Sequence, residues 1–395
     1  MTFSNKIDEW IKEAETRPES AALIVKLIAK RLRELTERNE ELLAENIALQ
    51  NGTRVEEYQK RIAHLEYQLD LLKRRFGTDG ISLVEPAPDS LETSTVNLLA
   101  YNAYGRFLRI EVSLDAPSIG RITDEIINDR EPPRLLAVPS NEEVLLLFTS
   151  GRVSTCKVSD LPSVDMGGTW SWGQAALPDE PRAGEWLACI TPISHLPLSD
   201  FFLQVSRRGC VKKTMTSVAQ SVLANHYLGK SALQKSDQPF DVTLCQKKDL
   251  FAFVTYEGHL IGLDVDGLSY SAEERIRITA SDYVIASCLP RPDESLLFVT
   301  QTGKVIHRGS ESLELSRSPL AKGQSLIPAS RLEQGVRFIG AASVRDGDRI
   351  AALDDAGNIN VYLAEAITGA GSIEAAGSIL SIGVIPAEGG RGANP

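Results

Sequence analysis

Histidines, cysteines and clustered acids are the residues of this 395-residue chain whose chemistry could extend beyond packing. His64, His195, His226, His259 and His307 stand apart, without metal-ligand spacing to a second ligand, an HExxH pair, a nucleophile elbow or a phosphate-binding glycine loop. Asp354-Asp355 and Asp264/Asp266 fall at or after turns, where acids ordinarily cap or solvate the backbone. Cys156, Cys189, Cys210, Cys245 and Cys288 are odd in number and widely spaced, which fits reduced thiols in the cytosol and excludes a disulfide scaffold or zinc ribbon. Cys210 follows Arg207 and Arg208, cations that lower a thiol pKa when the sulfur is accessible; a packed thiol is the expected reading. No catalytic residue, metal or cofactor is expected, and the chain reads as a non-enzyme.

The constellation with a possible function is basic. Arg207, Arg208, Lys212 and Lys213 flank one turn in RRGCVKK; Lys304, His307 and Arg308 flank a similar turn farther on, with Arg317 and Lys322 in the loop beyond. Lys247 and Lys248 precede the hairpin between them. Successive strand residues point to opposite faces, so Lys212 and Lys213 cannot share a surface unless the strand twists or ends there. Together these cations could form an arc that follows a phosphate backbone, binding by counterion release. An ordinary solvated rim is the alternative.

The net charge of −11 opposes a uniformly basic nucleic-acid binder. Located along the sequence, the charge is zero over residues 1–77, −10 over 78–200, +2 over 201–322 and −3 over 323–395. A one-sided grip on DNA is therefore still compatible with an acidic chain. No run approaches the roughly 18 apolar residues of a membrane span, and no membrane partner is expected.

The elements that would position the cations repeat six times. An apolar strand, a glycine turn and a β-branched or basic strand recur around Gly105, Gly151, Gly209, Gly258, Gly303 and Gly357, with a mean spacing near 50 residues. Glycine supplies the positive φ that such turns need. A further apolar strand separates consecutive hairpins, and a last one, SILSIGVIP, follows the sixth. Six units of several short strands specify a mainly β, six-bladed β-propeller over 95–386. The leftover strand predicts closure by pairing of the C-terminal strand with the N-terminal blade, which would remove both edges.

The segments NEEVLLLFTSGRVSTCKVSDLP (Asn141–Pro162), FFLQVSRRGCVKKTMTSVAQ (Phe201–Gln220) and SLLFVTQTGKVIHRGSESL (Ser295–Leu313) resemble the C-terminal domain of gyrase A and of its topoisomerase IV relative. That resemblance implies a pinwheel that binds and bends DNA in the bacterial cytosol or nucleoid. The glycine-rich basic box that the family uses for wrapping has no counterpart in LDAPSIGRITDEIIND (Leu114–Asp129); LGKSA (Leu228–Ala232) and SPLAKGQ (Ser318–Gln324) are at most degenerate versions. No counterpart of the family's breakage-reunion domain, with its tyrosine nucleophile, is expected among these residues. Two readings follow: a non-enzymatic DNA-binding or DNA-bending accessory protein, and a protein-interaction scaffold whose propeller has lost DNA wrapping.

Ahead of the propeller, residues 1–18 read as a short amphipathic helix and 19–77 as a coiled coil. Ile28, Leu35, Leu42 and Leu49 occupy d positions, with Leu32, Asn39 and Asn46 at a; a buried a-position Asn fixes register and dimer state. After a break at Asn51-Gly52-Thr53, a second seam runs Val55, Tyr58, Ile62, Leu65, Leu69, Leu72, Phe76. A helical hairpin within one chain is the alternative to a parallel homodimer. Residues 78–94 have a linker's composition, and 387–395 read as a disordered tail. Light scattering at micromolar concentration should return a dimer mass; a monomer mass would refute pairing through Asn39 and Asn46.

Overall fold

A computed structural model describes residues 96–113, 116–123, 132–172, 177–316 and 318–387. The coiled-coil and linker segments, half of the Leu114–Asp129 stretch, Arg317 and the tail beyond 387 lie outside them.

The six hairpins are Val96–Tyr101/Phe107–Val112, Glu143–Phe148/Val153–Lys157, Phe201–Ser206/Cys210–Met215, Leu250–Thr255/His259–Asp264, Ser295–Thr300/Val305–Gly309 and Arg349–Asp354/Asn358–Leu363. Each belongs to its own sheet, and the last strand of each repeat pairs with that repeat's first hairpin strand. These third strands, Arg134–Val138, Leu187–Pro192, Pro239–Cys245, Val284–Cys288, Phe338–Val344 and Ile379–Ile385, line the inside of the ring, and from Leu187–Pro192 round to Arg134–Val138 each packs on the next. The architecture is a mainly β, six-bladed propeller.

Six apolar cores lie between successive blades. Leu98 and Ala100 join the core shared with the last blade, whereas Leu99 and Tyr101 join the core shared with the second. Leu145/Leu147 and Val144/Leu146 divide in the same way, as do Phe251/Phe253 and Ala252/Val254. A strand buried on both faces loses period-two alternation and becomes a continuous apolar run, hence VLLLF and LFAFV.

Each blade's outer edge is completed by the repeat that follows it. Ser163–Val164, beyond the second hairpin, pairs with the first blade; Glu273–Glu274, beyond the fourth, pairs with the third; Gln324–Ser325, beyond the fifth, pairs with the fourth. In the second and fifth blades short helices, Ala219–Ala224 and Ala364–Ala370, cover the edge, assisted by the single bridges Arg152–Tyr227 and Lys304–Ser372. This latch also corrects the expected closure. Ile379–Ile385 is the inner strand of its own blade, paired with Arg349–Asp354. The ring closes from the other end: Ser118–Ile122 of the first repeat pairs with Asn358–Leu363 of the sixth blade. An edge is covered in either scheme, but apolar periodicity does not say which terminus crosses over.

A polar residue three positions before the turn glycine caps the hairpin. Asn102, Ser206, Thr255, Thr300 and Asp354 each accept from the main-chain N–H four residues on, at 2.8–3.1 Å. The second blade has Phe148 there, and Arg152 lies over its ring, 3.8 Å from the centroid. Arg152 also pairs with Asp179 and, at 2.8 Å, with Glu185. Burial works against the Glu185 charge, yet hydrogen bonds from Arg152, Ser150 and the Arg182 main chain outweigh it and hold the carboxyl at about 2.

The glycine turns are close-packed as well as left-handed. A Cβ on Gly258 (φ +82°) would stand 2.3 Å from the Phe338 ring of the next blade, whereas one on Gly184 (φ +77°) would meet nothing within 4 Å. Gly184→Ala should cost about 1–2 kcal/mol, the left-handed penalty alone. Gly258→Ala should add an overpacking cost of about 1–3 kcal/mol. Urea denaturation of the two variants measures the difference, and equal losses would remove the packing argument.

Candidate nucleic-acid interface

The RRGCVKK turn does not present four cations to solvent. Lys213 is 3% exposed; its Nζ donates to the carbonyls of Val265 (3.1 Å) and Asp266 (2.9 Å) and lies over the Phe201 and Tyr270 rings. Arg208 donates to the carbonyls of Ile278 (3.2 Å), Thr279 (2.8 Å) and Asp282 (2.8 Å). Arg207 donates to the Val284 carbonyl at 2.8 Å and stacks over Phe240, whose ring also lies beneath Arg134. Lys212 faces the other way, as alternation requires, with Nζ 3.4 Å from the Leu228 carbonyl; burial lowers its pKa. Lys213, buried, and Arg208, half-buried, thus fasten the third blade to the segment that arrives from the fourth, while Arg207 reaches the fourth blade's inner strand at Val284. Of the three, only Lys213 is closed off from an outside phosphate, which corrects the expected DNA-contacting set.

The same role recurs at Arg109, which sequence reasoning missed. Like Lys213 it stands four residues after its turn glycine, and it donates to the carbonyls of Leu161 (2.8 Å) and Ser159 (3.2 Å) in the latch from the second blade. Its remaining bonds go to Asn97 and Glu111. The signal was available as a shared offset from the turn, Gly105 to Arg109 and Gly209 to Lys213.

The remaining predicted cations do not form a single-face arc. Lys247 and Lys248 are exposed in the turn that enters the fourth blade, at the end opposite the glycine turns, and Lys247 pairs with Asp266 at 3.5 Å. Lys304 is exposed beside its turn glycine. Arg308, half-buried, pairs in register with Leu296 at the far end of the same outer strand. Lys322 is exposed in the latch reaching the fourth blade. The structure brings it beside Arg277, an exposed cation absent from the expected set, because the Arg277 N–H donates to the Ala321 carbonyl at 2.9 Å. Among the described residues, the side chains of Arg277, Lys304, Arg308 and Lys322 make no ion pair or hydrogen bond. Glu311 and Glu314 lie in the connection between Arg308 and Lys322, so the basic rim is interrupted.

The paired acids and Cys210 singled out in the sequence have structural roles. Asp354 caps its turn and the Asp264 carboxylate accepts the Asp266 N–H at 3.0 Å, as expected. All five cysteines are free; burial pushes Cys210 up to about 11, so the neighbouring arginines do not activate it. Among the described residues one cluster, Glu257, His259 and Asp282, has the donors and spacing to hold a metal ion. No described helix is long and apolar enough to cross a membrane.

Replacing Lys213 by Met should reduce stability by about 1.5–3 kcal/mol, the usual range for charge-assisted hydrogen bonds, while leaving DNA affinity unchanged. Denaturation and a duplex-binding titration check both halves; a loss of affinity without a loss of stability would return Lys213 to the surface.

No protein-family model matches the chain. The DNA gyrase A protein of Escherichia coli strain K12 is 26% identical over 249 residues, covering 61% of this chain and 27% of that protein. Its counterpart from Lawsonia intracellularis is 22% identical over 226 residues, covering 56% and 27%. The chain thus spans about a quarter of the length of the curated relatives it matches. A solved DNA gyrase A C-terminal domain superposes with a TM-score of 0.54 at 10% identity, covering 73% of this chain and 99% of that domain. The propeller therefore has the fold of a gyrase A C-terminal domain.

Proposed function

We propose that the chain is a non-enzymatic DNA-binding accessory protein whose propeller grips the phosphate backbone along the outer rim of its fourth and fifth blades. One observation carries this reading: Arg277, Lys304, Arg308 and Lys322 occupy the outer strands and latches of adjoining blades, with side chains unpaired among the described residues. The likeness to gyrase A supports the same assignment. Such contacts read the backbone and carry no sequence information. A coiled coil over residues 19–77 would pair two propellers, so that modest affinity at each is raised by avidity and the intervening DNA is bent.

A second reading, a protein-interaction scaffold, is favoured by the inward engagement of Arg208 and Lys213 and by the net charge of −11. On the glycine-turn side, Tyr104 is 43% exposed and meets Trp186 edge-to-face, which offers an aromatic contact for a protein partner.

A duplex titration over a salt series separates the two. The wild-type chain should bind with an affinity that falls steeply with salt. Changing Arg277, Lys304, Arg308 and Lys322 together to Ala should flatten the log–log slope by about 3–4, near 0.9 for each phosphate no longer neutralised. An unchanged slope would remove the rim from the interface. No binding at low salt, with a stoichiometric protein recovered from nuclease-treated lysate, would favour the scaffold.

A further inference from the structure

The hairpin turn of the fourth blade holds a group of side chains that neither packing nor DNA contact explains. The chain reverses at Gly258, which sets Glu257 and His259 on either side of the turn, and Asp282 approaches from the segment that enters Val284–Cys288. One ligand atom from each of the three lies within 4.8 Å of the others. Asp282 is 1% exposed. Its Oδ1 accepts the main-chain N–H groups of Glu257 (2.9 Å) and Tyr283 (3.0 Å), which fixes the carboxylate's orientation. Its Oδ2 and the Nδ1 of His259 are both buried and make no hydrogen bond of normal geometry, although the Thr255 hydroxyl lies near enough to favour the carboxylate form. Glu257 Oε1 accepts from Ser281 Oγ at 3.0 Å, so its carboxylate is also held at the site.

Two side chains each with a buried polar atom lacking a hydrogen bond, and a second carboxylate beside them, have their ligand atoms within 4.8 Å of one another and no cation among them. Arg208 reaches the Asp282 carbonyl and not its carboxylate. We propose that Glu257, His259 and Asp282 bind a first-row divalent cation of the zinc class, which clips the fourth blade's turn to the strand lining the axis. One imidazole nitrogen and two carboxylate oxygens suit zinc, cobalt or manganese, whereas calcium and magnesium prefer oxygen alone. Metal–ligand bonds of about 2.0–2.2 Å require the three side chains to close in modestly from their present spacing. Glu257 and His259 are only partly buried, which leaves an entry path and room for water as a further ligand. Oriented carboxylates are the supporting contacts that metal sites ordinarily need. Burial also favours the protonated form of Asp282, so a proton shared with His259 is the competing way to satisfy the same atoms.

Calorimetry and cobalt absorption on the full, tag-free chain, stripped with EDTA, distinguish the two. Zinc alone should bind at one ion per chain with release of protons, and cobalt should give a ligand-field band without a thiolate charge-transfer band. His259→Gln and Glu257→Gln, at partly exposed positions, should each weaken binding at least ~100-fold, beyond the 10–100-fold that changes around a metal's direct ligands produce. Cys156→Ser and Cys288→Ser should leave it unchanged. Thermal melts of each variant without metal establish that the blade still folds. Absence of saturable binding, retention of binding in both glutamine variants, or loss of binding in the serine variants would overturn the metal site; the first result would assign the cluster to a shared proton.

Discussion

Burial of each blade's first strand on both faces is the constraint from which the rest of the ring follows. A residue such as Leu98 packs toward one neighbour and Leu99 toward the other, so no blade can complete its core alone. Six cores need six interfaces, and the sixth exists only when the first and last blades meet. At roughly 25 cal/mol per Å² of apolar surface buried, two exposed blade faces would be a heavy penalty, and this drives closure. The latches follow from the same requirement, because every blade also has an outer strand whose backbone groups need partners.

That latch determines what the basic residues do. A strand arriving from the next repeat ends in carbonyls that its own sheet cannot satisfy, and a long cationic side chain on the preceding blade reaches them. Arg109, Arg208 and Lys213 all act in this way. The cations left for an outside partner sit on the rim, in outer strands and latches, where only the local register decides their neighbours. Lys322 and Arg277 meet because Ala321 pairs with the segment that carries Arg277.

The sequence made the blades legible and the latches obscure. Apolar runs and glycine turns are local signals, and all six turn glycines do adopt positive φ. The two-residue outer strands leave almost no periodicity: Ser163–Val164 and Glu273–Glu274 differ completely in character yet occupy equivalent edges. Charge was harder still, since RRGCVKK has the composition of a phosphate contact and the geometry of an internal clamp. Only the destination of each side chain separates these, and for Arg207, Arg208 and Lys213 that depends on segments 52 to 77 residues away. The Glu257–His259–Asp282 cluster was hidden for the same reason: two members are near neighbours in sequence and the third joins them through the fold.

The crossing of Ser118–Ile122 to Asn358–Leu363 also sets an order of events for a chain made from its N-terminus. Blades one to five can find their immediate neighbours as they emerge, but the first repeat must keep an unpaired strand in reserve until the sixth hairpin has been synthesised. Loop-closure entropy grows only slowly with length, so the final pairing is not prohibited by its span. Its difficulty is one of time: an apolar blade face and a strand edge stay open throughout synthesis, the form of exposure that promotes misassembly between chains. Ring closure is therefore the step at which this protein exchanges a sticky nascent chain for a finished surface, and destabilising the junction of the first and last blades should delay that exchange more than equal damage anywhere else in the ring.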